Sequence, residues 1–277
     1  MSFLFARKTE EYFYILSDTK INCSEIKENL QKRIGSKKEK LLENYGIIKN
    51  VIINSNLCIG CAGIIEYFNE LLEYVEKNKI IDIELIKERA LEIHKKYNQN
   101  TDFIILYVKN SERSLFVIKD NRIEKTDFCW IGVKECFNLF QKIRHDKDFI
   151  KSNYDTDFSK DFNEMYNDKK SFEKVLKSNV SPDDVGKYYI DCTYIKGGFN
   201  YMERSEFFAP SEQIIQPNEA INFYDTIENG GCAYISSCEN NNYSIYYEQI
   251  KTKIVFEPYL KEKGYNYLRF PKQIIVS

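Results

Sequence analysis

The sequence is poor in histidine and carries no excess of charge of either sign. Only His94 and His145 occur among 277 residues, and neither lies in an HExxH pattern or beside a Ser or Cys that it could activate. His94 falls in a helical pattern and reads as structural. Lys and Arg number 40 against 42 Asp and Glu, which removes the electrostatic case for nucleic acid or an anionic membrane as partner. No run approaches the eighteen or so apolar residues that cross a bilayer. The first residues also lack a basic stretch followed by an apolar one. These absences predict a soluble, cytoplasmic protein.

Cysteine, by contrast, is present eight times, mostly inside apolar runs, as reduced buried thiols are. The one CxxC, Cys58 and Cys61, has no second CxxC and no nearby His. No zinc site, and no other metal or cofactor, is expected. The pair reads as two core thiols on a buried strand.

Taken in order, Phe3 to Phe5 and Tyr12 to Leu16 are apolar runs split by a polar turn, which predicts a β-hairpin. Ser24 to Tyr45 mixes spaced Ile and Leu with many Lys and Glu, which predicts a helical insertion broken at Gly35-Ser36. Lys49 to Ile53 and Leu57 to Ala62 flank Asn54-Ser55-Asn56 and predict a second hairpin. Helical periods follow, with apolar positions from 64 to 75 and from 83 to 97. Three strands are then expected at Phe103 to Val108, Leu115 to Ile118 and Ile123 to Trp130. Helices are expected at Val133 to Ile143 and Phe158 to Leu176, separated by a polar stretch and closed by Ser181-Pro182-Asp183-Asp184. Strands return at Tyr188 to Ile195 and Phe199 to Met202. Beyond residue 204 short β-rich runs suggest a C-terminal extension, 205–277, after a main domain of 1–204.

Strands, then paired helices, then strands and paired helices again are what two packed antiparallel sheets with a helical layer on each outer face require. The expected fold is therefore α+β, a four-layer αββα sandwich with a β-rich extension. A doubly wound parallel sheet would alternate its strands and helices singly.

The SerAspThrLys segment at 17–20, the CysIleGlyCysAlaGly segment at 58–63 leading into a helix, and TrpIleGly at 130–132 before another helix give the chain its resemblance. Over residues 2 to 203 it resembles the N-terminal nucleophile hydrolases, specifically proteasome β-type subunits and the peptidase subunit of the bacterial ring protease. The family's nucleophile is the first residue after processing, with an acidic residue sixteen positions later. Ser2 and Asp18 have that separation, and a Ser after Met1 permits removal of the initiator. Lys49 matches the family's essential Lys, and Asp183 matches a later acidic position. Backbone amides at Gly60 and Gly63 match the oxyanion donors. Two family Ser positions are here Val133 and Gly186, and Ser replaces the more usual Thr nucleophile.

The resemblance implies an amidohydrolase, most simply a peptidase. In it the Ser2 α-amine takes the hydroxyl proton, Lys49 lowers the pKa of that amine, and Asp18 orients Lys49. It further implies a homo-oligomer, ring or dimer, a peptide or protein substrate, and an unfoldase or other protein partner. The alternative is a catalytically inactive scaffold, sensor or binding protein that keeps the sandwich and binds through the 24–45 insertion and the C-terminal extension.

Overall fold

The structure is a computed structural model that describes residues 2–19, 49–78, 82–179, 181, 185–186, 189–195, 197–202, 204–208, 232–239, 242–247, 252–259 and 267–276. The expected insertion at 24–45 and the candidate Asp183 lie outside the described residues. The chain divides into two units, Met1–Asn200 and Tyr201–Ser277. It is a mixed α+β protein in which every described ladder is antiparallel. Among the described residues no helix is long and apolar enough to cross a membrane.

The first hairpin is β1 (Phe3–Lys8) and β2 (Phe13–Asp18), the second β3 (Asn50–Asn54) and β4 (Leu57–Gly63). Helices α1 (Ile65–Asn78) and α2 (Ile83–Lys96) follow. Next come β5 (Thr101–Lys109), β6 (Glu112–Lys119), β7 (Arg122–Thr126) and β8 (Phe128–Gly132). The helices α3 (Lys134–Arg144), α4 (Lys147–Asn153) and α5 (Lys160–Leu176) precede β9 (Tyr189–Ile195) and β10 (Gly198–Tyr201). One sheet has the order β10-β9-β2-β1-β8, the other β3-β4-β5-β6-β7.

Both faces of the first hairpin are covered, which is why its strands read as unbroken apolar runs instead of alternating. Phe3, Phe5, Tyr14 and Leu16 form one core with Phe140 of α3 and Phe172, Val175 and Leu176 of α5. Phe3 stacks on Phe172 at 4.7 Å between ring centroids, a geometry that adds to the area buried. The intervening Leu4 and Ile15 point the other way, onto Gly60 of the second sheet. That second sheet is covered in turn by α1 and α2, whose Phe68 meets Phe103 of β5. The helices over the first sheet are tied down by Asp168 of α5. Its buried carboxylate accepts from Arg7 Nη1 at 3.1 Å, Tyr14 Oη at 2.7 Å and Arg144 Nε at 2.9 Å.

Two expectations need correction. The single strand predicted at Ile123 to Trp130 is two strands in different sheets: β7 pairs with β6, and β8 pairs with β1. The break falls at Asp127, whose carbonyl accepts from Lys8 N–H at 2.7 Å, while Thr126 Oγ1 donates to the Phe128 carbonyl. The polar stretch predicted between the two later helices contains α4, started by Asp146, whose side chain accepts from Phe149 N–H. That N-cap satisfies a donor the first helical turn otherwise leaves unpaired.

His94 is fully buried on α2, with Nδ1 2.8 Å from the Thr101 carbonyl and Nε2 accepting from Asn121 N–H at 3.1 Å. A carbonyl on one nitrogen and an amide donor on the other fix the neutral tautomer with its proton on Nδ1. Beside it, burial raises the Asp102 carboxyl to about 6, helped by Asp120 and opposed by Lys119. The unfolded value is near 3.8, so the folded state holds the proton longer. The contribution to stability is full below about pH 4 and is lost as pH rises through 6, a change on the order of 2–3 kcal/mol. Asp102→Asn is expected to remove that slope and to be the more stable protein at pH 8. Denaturant unfolding of both proteins at pH 5 and pH 8 reads it, and parallel pH profiles would refute it.

The second unit is a five-stranded meander of β11 (Arg204–Phe208), β12 (Cys232–Glu239), β13 (Asn242–Tyr247), β14 (Thr252–Tyr259) and β15 (Tyr267–Val276), paired in chain order. The register between β14 and β15 shifts between Phe256 and Pro258, a position where a residue without an N–H is tolerated.

Candidate active site

Asp18 ends β2 with no exposed surface, and its two oxygens gather three separate parts of the chain. Oδ1 accepts from Phe3 N–H at 2.8 Å. Oδ2 accepts from Lys49 Nζ at 2.7 Å and from Gly186 N–H at 3.0 Å. Lys49, just before β3, is 4% exposed. Its carbonyl accepts from Cys61 N–H at 2.8 Å. The neighbouring Asn50 donates through Nδ2 to the Ile15 carbonyl at 3.3 Å. The ion pair thus bridges the two sheets at the end where β1 begins. A buried pair of this kind is sustained by mutual attraction and by the extra amide donors on its carboxylate, since neither charge is well solvated.

Ser2 lies next to the amide that Asp18 holds. It is buried, and its carbonyl accepts from Val133 N–H at 2.9 Å. Gly132 carries φ +96, and a Cβ there would sit 1.9 Å from the Ser2 carbonyl oxygen. Glycine is therefore required by both the backbone angle and the close approach.

Of the residues expected from sequence, Asp18 and Lys49 are in direct contact, and Ser2 is one residue from the amide bound to Asp18. Gly60 lies inside its sheet, between Asn50 and Ile104, and a Cβ there would be 2.5 Å from Ile15 Cδ1. Gly63 ends β4 with φ +130, where a Cβ would be 2.1 Å from the Asn100 carbonyl oxygen. Both glycines thus have packing reasons for lacking a side chain. Sequence reasoning missed Gly132 as the seat of the Ser2 carbonyl and the amides of Phe3 and Gly186 as ligands of Asp18. Gly186 stands where a side chain was noted as missing, yet its contact needs only its backbone.

Cys58 and Cys61 are both buried in β4, and three positions along a strand place them on opposite faces. Burial holds the Cys61 thiol well above its ordinary value, with Asp102 adding to the effect and Lys49 opposing it. Among the described residues no cluster of three or more His, Cys, Asp or Glu is arranged to hold a metal ion. Comparison with known protein families gives no matching family, and comparison with curated proteins gives no matching relative.

Proposed function

We propose that this chain is an N-terminal-nucleophile amidohydrolase, a peptidase acting through Ser2 once Met1 has been removed. Its layering would be the four-layer αββα sandwich of that superfamily. The observation that supports the reading is the Asp18 carboxylate, which holds the amide next to Ser2 with one oxygen and Lys49 with the other.

In the proposed cycle the free amine of Ser2, with a reference pKa of about 7.7 to 8.0, is kept neutral by the Lys49 cation and takes the Ser2 hydroxyl proton. The alkoxide attacks an amide carbonyl, and the oxyanion is met by the backbone amide at Gly63, at the end of β4, since Gly60 sits between two paired strands. Collapse releases the amine and leaves an ester on Ser2, which water hydrolyses. Asp183 is assigned a supporting acidic role. The partners proposed are a peptide or protein substrate, further copies of the chain in a ring or dimer, and an unfoldase.

The competing reading is an inactive scaffold, sensor or binding protein, favoured by Val133 and Gly186 standing where the family has Ser. Intact mass and labelling by a β-lactone separate the two. A mass lacking Met1 together with an adduct on Ser2 is the expected result. Retained Met1 with no adduct would leave the scaffold reading.

A further inference from the structure

We propose that Cys58 and Cys192 are a modification site, a cysteine pair that closes into a disulfide between the two sheets. Cys58 belongs to β4 of one sheet and Cys192 to β9 of the other. Both are buried with no exposed surface, and their Sγ atoms are 3.7 Å apart.

The surrounding sequence explains why they meet. Gly60 is two residues from Cys58 and so lies on the same face of β4. A Cβ on Gly60 would be 2.5 Å from Ile15 Cδ1 and 3.0 Å from Leu4 Cδ2, so the missing side chain lets the sheets approach here. Ile15 is the register partner of Cys192. The glycine that accepts Ile15 therefore brings its neighbour Cys58 onto the neighbour of Ile15, which is Cys192. A disulfide needs the sulfurs at about 2.05 Å, roughly 1.7 Å closer than in the thiol pair, and packed sheets are bridged by disulfides elsewhere. Cys61, on the opposite face of β4, takes no part, so the sequence motif CxxC points to the wrong partner for Cys58.

The oxidant is a low-molecular-weight disulfide. One cysteine thiolate attacks it, forming a mixed disulfide and expelling one small thiolate. The second cysteine attacks the protein sulfur of that mixed disulfide and expels the other. The protein loses two S–H bonds and gains one S–S bond, and the oxidant leaves as two thiols carrying the two protons. Because both cysteines are buried, the bond forms as the chain folds or opens, and slowly in the closed native state.

The test uses the full chain, denatured and reduced, then refolded in a buffer of reduced and oxidised glutathione. Peptide mapping without reductant is expected to yield Cys58 linked to Cys192 as the dominant pair. The unfolding midpoint in denaturant should rise and fall back on reduction. The same chain oxidised in denaturant serves as the reference and should give scrambled pairs. A refolded map that matches the scrambled one, or in which Cys58 pairs mainly with Cys61, would overturn the proposal. The decisive reading needs no variant, so a loss of folding on replacing either cysteine leaves it intact.

Discussion

Lys49→Met is expected to lower stability by about 3–5 kcal/mol, the cost of leaving a buried charge without its partner. Asp18 has no exposed surface and Lys49 almost none, so water cannot replace the lost ammonium without opening the end of the sheets. The two amides of Phe3 and Gly186 stay on the carboxylate and offset only part of the loss. The double variant Lys49→Met with Asp18→Asn should recover part of it, because the amide oxygen still accepts from Phe3 and no net charge remains buried. If Lys49 tunes the Ser2 amine, neither protein labels at Ser2. The pair of variants thus separates folding from chemistry: the double variant regains stability and stays unlabelled. Denaturant unfolding and lactone labelling of the wild type and both variants supply the readings. Labelling that survives in the stable double variant would remove Lys49 from the mechanism, and a single variant as stable as wild type would remove the buried pair from the fold.

Much of the framework was legible because burial leaves a direct imprint on composition. The apolar runs of the first hairpin are continuous because helices cover one face and the second sheet the other. Asp18 and Lys49 were singled out through a resemblance in spacing, and they meet because β2, the middle strand of one sheet, packs against β3, the edge strand of the other. What stayed hidden was carried by the backbone or by partners distant in sequence. The switch of sheets at Asp127 has no local period of its own, since β7 and β8 are both extended and differ only in which strand they pair with. The amides of Phe3 and Gly186 on Asp18 have no side-chain signature at all. Helix α4 could have been found: Asp146 before an amphipathic turn is an N-cap signal. The same distance in sequence concealed Cys192 from Cys58, 134 positions apart.

Gly132→Ala is expected to cost roughly 3–5 kcal/mol, combining a backbone strain with an overlap that has no easy relief. At φ +96 any L side chain is strained, and the new Cβ would lie 1.9 Å from the Ser2 carbonyl oxygen and 2.7 Å from its carbon. Those are backbone atoms, fixed by the Val133 N–H bond to the same carbonyl and by the pairing of Phe3 with Gly132. Relief therefore requires the start of β1 to move, which pulls Phe3 N–H away from Asp18 and displaces Ser2 with it. Gly197 supplies the control, since it also has positive φ, +82, but a Cβ there meets nothing within 4 Å. Gly197→Ala should cost only the conformational part, about 1–2 kcal/mol, and leave Ser2 labelling unchanged. The excess cost of Gly132→Ala over Gly197→Ala measures how tightly the Ser2 carbonyl is seated against β8. Equal costs from denaturant unfolding, with labelling intact in both, would mean that Ser2 is not held by that contact and that its position must come from Asp18 alone.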